Sequence, residues 1–215
     1  MPTISHDTPN LDVTTDVLII GAGASGLTAA LAAAQDGAAV VVLERDPSPS
    51  GSTSMSSGFV PAPGTRFQHA IGVNDDTADL FCADIMAKSY GQSDPRLARL
   101  AADTIGPAME WLADAGNVEW HVLGDFLYPG HARHRMHAVP EKTGAALEAR
   151  LLAAAAEADI ALVTEALAET LYVDVSGQAV AVAASRPDGS IEVIGCKTLI
   201  LACNGYGGNA EIVRK

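Results

Sequence analysis

Gly21, Gly23 and Gly26 stand in the string Gly21-Ala22-Gly23-Ala24-Ser25-Gly26, which fits G-x-G-x-x-G. The spacing suits a diphosphate: the first glycine permits a tight turn, the second lets phosphate approach the backbone, and the third lets a helix lie close on the preceding strand. Free amides and the positive end of the helix dipole then hold the anion. Glu44 follows Gly21 by 23 positions, near the roughly 20-residue offset at which an acid accepts hydrogen bonds from a ribose. The expected ligand is an adenine dinucleotide, unless these glycines merely join strand to helix in an unrelated α/β protein. Glu44 would repel a 2′-phosphate, which Arg45 beside it would offset, and the motif leaves NAD and FAD unseparated.

The elements around the motif agree with this reading. Residues 15–20, aliphatic from Val17 to Ile20, have the pattern of a strand covered on both faces, and residues 24–35 take up Ala and Leu at helical spacing until Asp36 and Gly37 stop them. Residues 39–43 form a second aliphatic strand, and a right-handed crossover makes the two parallel. Residues 47–68 read as a long Ser, Gly and Pro-rich loop. Helices are expected over 77–88 and 95–115, the second opened by Asp94 and Pro95 and kinked or divided at Pro107, and an alanine-rich helix over 144–158. From residue 160 the period becomes two, giving an antiparallel meander over 160–165, 171–175, 179–185 and 190–194, with turns at Ser176-Gly177 and Pro187-Asp188-Gly189. A last aliphatic strand, 198–202, runs into Cys203-Asn204-Gly205-Tyr206-Gly207-Gly208.

The segment from Ser50 to Gly58, with Gly51, Ser52, Thr53 and Ser57 among its small side chains, suits a flat heterocycle and a ribityl chain. The alternative is a solvated Ser-rich linker. With the glycine motif, this loop, the meander and residues 197–211 in that order, the chain resembles the FAD-binding domain of fumarate reductase and succinate dehydrogenase flavoproteins, together with 3-ketosteroid dehydrogenases and urocanate reductases. The resemblance covers residues 14–213. It implies an α/β fold: a Rossmann-like FAD-binding domain with a parallel sheet and an antiparallel β-meander, here without the cap domain. Residues 1–13 would be a polar leader and 14–215 the FAD-binding domain.

By position, the resemblance implies that Gly21, Gly23, Ala24, Ser25 and Gly26 hold the FAD pyrophosphate and that Glu44, with Arg45 next to it, serves the adenosine ribose. Gly51, Ser52, Thr53, Ser57, Gly58 and Phe59 would line the ribityl and isoalloxazine side, Ala168 would meet the adenine, and Ala202 and Cys203 would close over the pyrophosphate. Respiratory members bind flavin through a histidine where this chain has Ser52, so non-covalent binding is expected. Where the family has Thr-Gly-Gly this chain has Cys203-Asn204-Gly205. The family's proton-delivering arginine and substrate-carboxylate clamp lie in a part beyond Lys215. The catalytic residues are therefore unknown, and a C-terminal part or a partner chain is expected to close the site.

His131, His134 and His137 invite a metal reading, but Pro129, Gly130 and Pro140 argue against the helix that would align them. Arg133, His134 and Arg135 read either as a positive patch attractive to a carboxylate or as solvated loop charges. Trp111 and Trp120 are taken as core, and Cys82, Cys196 and Cys203 as reduced core thiols. A length of 215 residues suits one good-sized domain, and 48% hydrophobic with 18% charged residues describes an ordinary globular chain. A net charge of −13 disfavours nucleic acid and anionic membrane surfaces. No secretory signal or bilayer-length run is present in the sequence, so a cytoplasmic location is expected. The reading that follows is a flavin-dependent oxidoreductase of the fumarate reductase type acting on a small carboxylate or enone. Its rivals are an NAD-dependent dehydrogenase and a non-catalytic flavin-binding module.

Overall fold

The computed structural model describes residues 3–205, 207 and 209–214. In chain order the elements are β1 (Thr3–Ser5), β2 (Val13–Ile20), α1 (Ala24–Gln35), β3 (Val40–Leu43), α2 (Ser52–Met55), β4 (Val60–Pro61), α3 (Arg66–Ala70), α4 (Ala78–Lys88) and α5 (Pro95–Ala115). They continue with β5 (His121–Val122), β6 (Met136–Ala138), α6 (Gly144–Glu157), β7 (Ala161–Val163), β8 (Leu167–Val173), β9 (Ala179–Ser185), β10 (Ile191–Leu201) and α7 (Ala210–Val213). The chain divides into two compact units, one of residues 1–55 and 151–215 and one of residues 56–150.

The first unit is built on a seven-stranded sheet in the order β1-β8-β9-β10-β2-β3-β7. Strands β10, β2, β3 and β7 run parallel, the arrangement a strand-helix-strand crossover through α1 produces. Successive side chains of a strand point to opposite faces, and Leu18 and Ile19 are both fully buried. Both faces of β2 are therefore covered at this point, as its aliphatic run from Val17 to Ile20 requires. Leu18, Leu43, Ala166, Val182, Ala184 and Ile194 form a core cluster in this unit. The antiparallel part is β8-β9-β10, turned at Gly177 and Gly189.

β7 lies outside the meander and pairs in parallel with β3 at the far edge. The two strands expected over 190–194 and 198–202 are one strand, β10, which meets β9 through Ile191–Gly195 on one edge and β2 through Ile194–Leu201 on the other. The polar leader supplies β1, which runs parallel to β8 with Thr3 Oγ1 at 3.0 Å from Thr170 Oγ1. Alanine-rich α6 ends at Glu157, one residue earlier than expected.

The second unit holds α3, α4, α5 and a three-stranded antiparallel sheet in the order β4-β6-β5. The stretch 47–68, expected as an open loop, contains α2, β4 and the start of α3. Thr65 opens α3 with a capping box shared with Gln68, Thr77 caps α4 and Asp94 caps α5. Pro107 does not divide α5, which runs unbroken from Pro95 to Ala115. Trp120 is buried and its indole N–H donates to the Met109 carbonyl at 3.2 Å, while Trp111 is half-buried. No helix among the described residues is long and apolar enough to cross a membrane.

Candidate functional site

Strand β2 ends at Ile20, and Gly21 turns the chain with φ +106°, a region side chains other than glycine avoid. A Cβ here would also lie 2.7 Å from the Ala202 carbonyl oxygen at the end of β10. Gly26, in the first turn of α1, has the Gly21 carbonyl oxygen where its Cβ would be, at 1.9 Å. The helix thus rests directly on the turn, the role expected of the third glycine. Gly23 is the N-cap of α1 and supplies no side-chain hydrogen bond to it, so the first helical amides keep donors that the helix itself cannot use. One of them, Ala24 N–H, donates to Thr53 Oγ1 at 2.9 Å. Ser25 is exposed and Gly23 half-exposed.

Glu44 follows β3 and reaches back to the turn. Its Oε2 accepts from Ala22 N–H at 3.0 Å and its Oε1 from Asp46 N–H at 3.0 Å. Its own backbone bonds with Val163 and Ala166 continue the sheet. A carboxylate oxygen offers more than one acceptor direction, so Glu44 can brace the turn and still accept from a ribose. Arg45 is exposed and pairs with Asp46 at 3.3 Å, which with the adjacent Glu44 charge raises its pKa.

In the same unit, Gly51 and Ser52 are exposed and Thr53 is half-buried in the short helix α2. Ser52 Oγ accepts from Asn204 Nδ2 at 2.8 Å. Asn204 occupies the left-handed region with φ +63°. Asparagine is among the few side chains that tolerate this conformation, which explains how it stands where the family has glycine. Cys203 is exposed rather than a core thiol, and Cys82 and Cys196 are half-buried. Burial pushes the Cys196 thiol up, which makes it less reactive. Ala168 lies in β8 opposite Ala184, half-buried beside the core cluster. A cavity of about 440 Å³ lined by Thr15, Asp16, Ala39, Cys196 and Lys197 opens at the end of β2 away from the glycine turn and contains none of the residues expected to bind the cofactor.

Ser57, Gly58 and Phe59 belong to the second unit. Gly58 is buried with φ +66°, and a Cβ would fall 2.8 Å from the Thr143 carbonyl oxygen. Phe59 packs edge-on against Tyr128, with ring centroids 6.1 Å apart.

Of the two readings of 133–135, a free positive patch fits neither arginine and solvated loop charge does not fit Arg135. Arg133 is bound through two nitrogens to Asp75 at 2.9 and 2.6 Å. Arg135 is fully buried, bound through two nitrogens to Asp76 at 2.9 and 2.6 Å and through a third to Asp84 at 2.5 Å. Gln68 Nε2 donates to Asp76 and to the His134 carbonyl. His137 is buried between the Arg135 carbonyl oxygen, 2.8 Å from Nδ1, and Thr65 Oγ1, 2.7 Å from Nε2. The carbonyl can only accept, so Nδ1 carries the proton and a neutral ring accepts the Thr65 hydroxyl at Nε2. Sequence reasoning missed this network because the carboxylates that hold Arg135 and the hydroxyl that meets His137 Nε2 lie 51 to 72 residues away. Among the described residues no group of three or more His, Cys, Asp or Glu could hold a metal ion.

Strand, glycine turn, a helix whose N-cap residue is glycine and an acid at the end of the next parallel strand define a dinucleotide-binding α/β domain. The donor set fits a diphosphate with a ribose: amides at the helix start, hydroxyls at Ser52 and Thr53, and one carboxylate. The family model described as FAD binding domain matches residues 16–215, so the chain belongs to this family and its cofactor is FAD. It is 31% identical over 204 residues to a probable fumarate reductase of Shewanella frigidimarina, covering 93% of this chain and 34% of that protein. It is 30% identical over 202 residues to a urocanate reductase of Eggerthella lenta, covering 93% and 33%. The solved open conformation of a flavocytochrome c3 fumarate reductase superposes with a TM-score of 0.86 at 28% identity, covering 95% of this chain and 36% of that one. The chain thus spans about a third of the length of these relatives.

Proposed function

We propose that this chain is the FAD-binding part of a flavin-dependent oxidoreductase of the fumarate reductase type. The observation that carries the reading is the glycine turn, closed by Ala202 on one side and braced by the Glu44 carboxylate on the other. Gly21, Gly23, Ala24, Ser25, Gly26, Ala202 and Cys203 would hold the pyrophosphate, Glu44 and Arg45 the ribose, and Ala168 the adenine. Gly51, Ser52, Thr53, Ser57, Gly58 and Phe59 would serve the ribityl and ring side. Ser52 carries no nucleophile of histidine's kind, which supports non-covalent binding.

Bound FAD supplies hydride transfer at N5 to or from a carbon-carbon bond next to a carbonyl or carboxylate. The chain's own part is to bind and orient. The helix amides and dipole stabilise the diphosphate, and the close fit of Gly26 on Gly21 keeps those amides aligned. Relatives named for fumarate and urocanate support a small unsaturated carboxylate as substrate. The charge balance and the lack of a membrane-length helix among the described residues support a cytoplasmic enzyme.

Purified protein should be yellow, and denaturation with acid should release FAD into the supernatant. The released cofactor is identified by chromatography against FAD, FMN and NAD. A colourless protein that retains NAD would overturn the reading in favour of a nicotinamide dehydrogenase. Photoreduced flavin in the full-length protein should be reoxidised by an enoate or enone under anaerobic conditions. Stable reduced flavin with every such compound would favour a non-catalytic module.

A further inference from the structure

Three separated stretches of the first unit meet around the start of α1. The end of β10 is held there by Ala202 N–H, which donates to the Ile20 carbonyl oxygen at 2.8 Å, and backbone atoms of Ala202 and Cys203 fill the space beside Gly21. α2 reaches the same place: Thr53 Oγ1 accepts from Ala24 N–H at 2.9 Å and lies 3.2 Å from where a Gly23 Cβ would be. One side-chain bond joins these two stretches, from Asn204 Nδ2 to Ser52 Oγ at 2.8 Å, across 152 residues of sequence. The contacts around the glycine turn thus form a closed circuit whose last link is Asn204.

The direction of that bond decides what Ser52 can do. A hydroxyl has one proton to donate and two lone pairs. Ser52 Oγ accepts from the Asn204 carboxamide, which leaves its own proton for another acceptor, and none among the described residues takes it. A chain from amide to hydroxyl to acceptor also strengthens each bond in it. None of the four residues of α2 is buried, so side-chain bonds rather than core packing set where its hydroxyls stand. Asn204 supplies one such bond from a backbone with φ +63°, a region that glycine enters more readily. The carboxamide is what asparagine adds there. We infer that Asn204 is a positioning residue for FAD: it holds the Ser52 hydroxyl as a donor to oxygens on the ribityl side of the cofactor. The inference rests on the reading of this turn as the FAD site and adds a residue to it.

The test compares FAD binding to the flavin-free full-length protein carrying Asn204→Gly, Ser52→Ala or both, read by quenching of flavin fluorescence. Asn204→Gly suits the backbone conformation and removes only the carboxamide. Apoprotein melting should therefore stay close to the parent's while the FAD dissociation constant rises about fivefold, the scale of one hydrogen bond. Ser52→Ala should weaken FAD at least as much. The double variant should be no worse than Ser52→Ala alone, because residues that act through one bond are not additive. Ser52→Thr, which keeps the hydroxyl, should keep parental affinity. An unchanged dissociation constant in Asn204→Gly, additive losses in the double variant, or equal losses in Ser52→Ala and Ser52→Thr would overturn the inference. A fall in apoprotein melting shared by Asn204→Gly and Ser52→Ala would make the bond structural and overturn it as well. A parent protein that takes up no FAD defeats the cofactor-site reading itself, whereas a parent that binds FAD as tightly as Asn204→Gly defeats only the role of Asn204.

Discussion

The Cβ that Gly26 lacks would fall 1.9 Å from the Gly21 carbonyl oxygen. Neither atom sits at the end of a flexible side chain, so an added methyl group must push the helix off the turn. Gly26→Ala is expected to lower stability by roughly 3 kcal/mol, the upper range for overpacking, and to empty the protein of FAD. Urea denaturation and flavin absorbance check the two effects. Gly51→Ala is the control, since nothing lies within 4 Å of a Cβ there, and its denaturation midpoint should match the parent.

How much of this was legible beforehand depends on where the information lies. α1 runs over Ala24–Gln35 as its sequence predicts, because apolar period, glycine start and Asp36-Gly37 stop are all local. The helices opened by Thr77 and Asp94 were legible for the same reason. β1 was hidden because three residues, Thr3–Ser5, are too few to show a period. β10 was split in reading because Gly195-Cys196-Lys197 breaks the aliphatic pattern, while pairing with β2 carries the strand through. The glycine turn and Glu44 were legible as a motif, but the bond from Ala22 to Glu44 was not. Arg135 and His137 looked like loop polarity, because burial of such groups depends on Asp76, Asp84 and Thr65 far along the chain.

Glu44 should matter to the turn even before cofactor arrives. Glu44→Ala leaves the Ala22 and Asp46 amides without their acceptor, at a cost of about 1–3 kcal/mol per group where water cannot replace it. The apoprotein should therefore lose stability, and FAD affinity should fall by about tenfold or more because the ribose acceptor goes too. Glu44→Gln keeps one carbonyl oxygen and should fall between. Parallel measurement of apoprotein melting and FAD dissociation constant distinguishes a bracing role from cofactor contact: unchanged FAD affinity with reduced stability would leave Glu44 as a brace alone.

Arg135 should be among the costliest side chains to lose in the second unit. Arg135→Met would leave the fully buried Asp76 without its two-nitrogen partner, and breaking one side of a buried pair costs about 3–5 kcal/mol. The double variant Arg135→Met with Asp76→Asn removes the stranded charge and should recover part of that loss. Arg133→Ala should change little, because its pair with Asp75 is largely in solvent. Equal effects of Arg133→Ala and Arg135→Met on the denaturation midpoint would contradict the burial of the network.

His137 makes the same region sensitive to acid. Burial holds its pKa below the ordinary histidine value, with the Arg135 carbonyl bond opposing only in part. The unfolded chain therefore takes up a proton first, at about pH 6.5, and stability falls as pH drops below that value toward the lowered folded pKa. Above about pH 6.5 the contribution is complete and flat. His131 is also held below its ordinary value, by burial first and then by the Arg135 charge, and adds to the same slope. Protonation would also remove the lone pair on Nε2 that accepts the Thr65 hydroxyl. Denaturation midpoints between about pH 8 and pH 5 should decline on the acid side of about pH 6.5, and His137→Gln should flatten that decline while lowering the plateau. An undiminished slope in His137→Gln would assign the acid sensitivity to other groups.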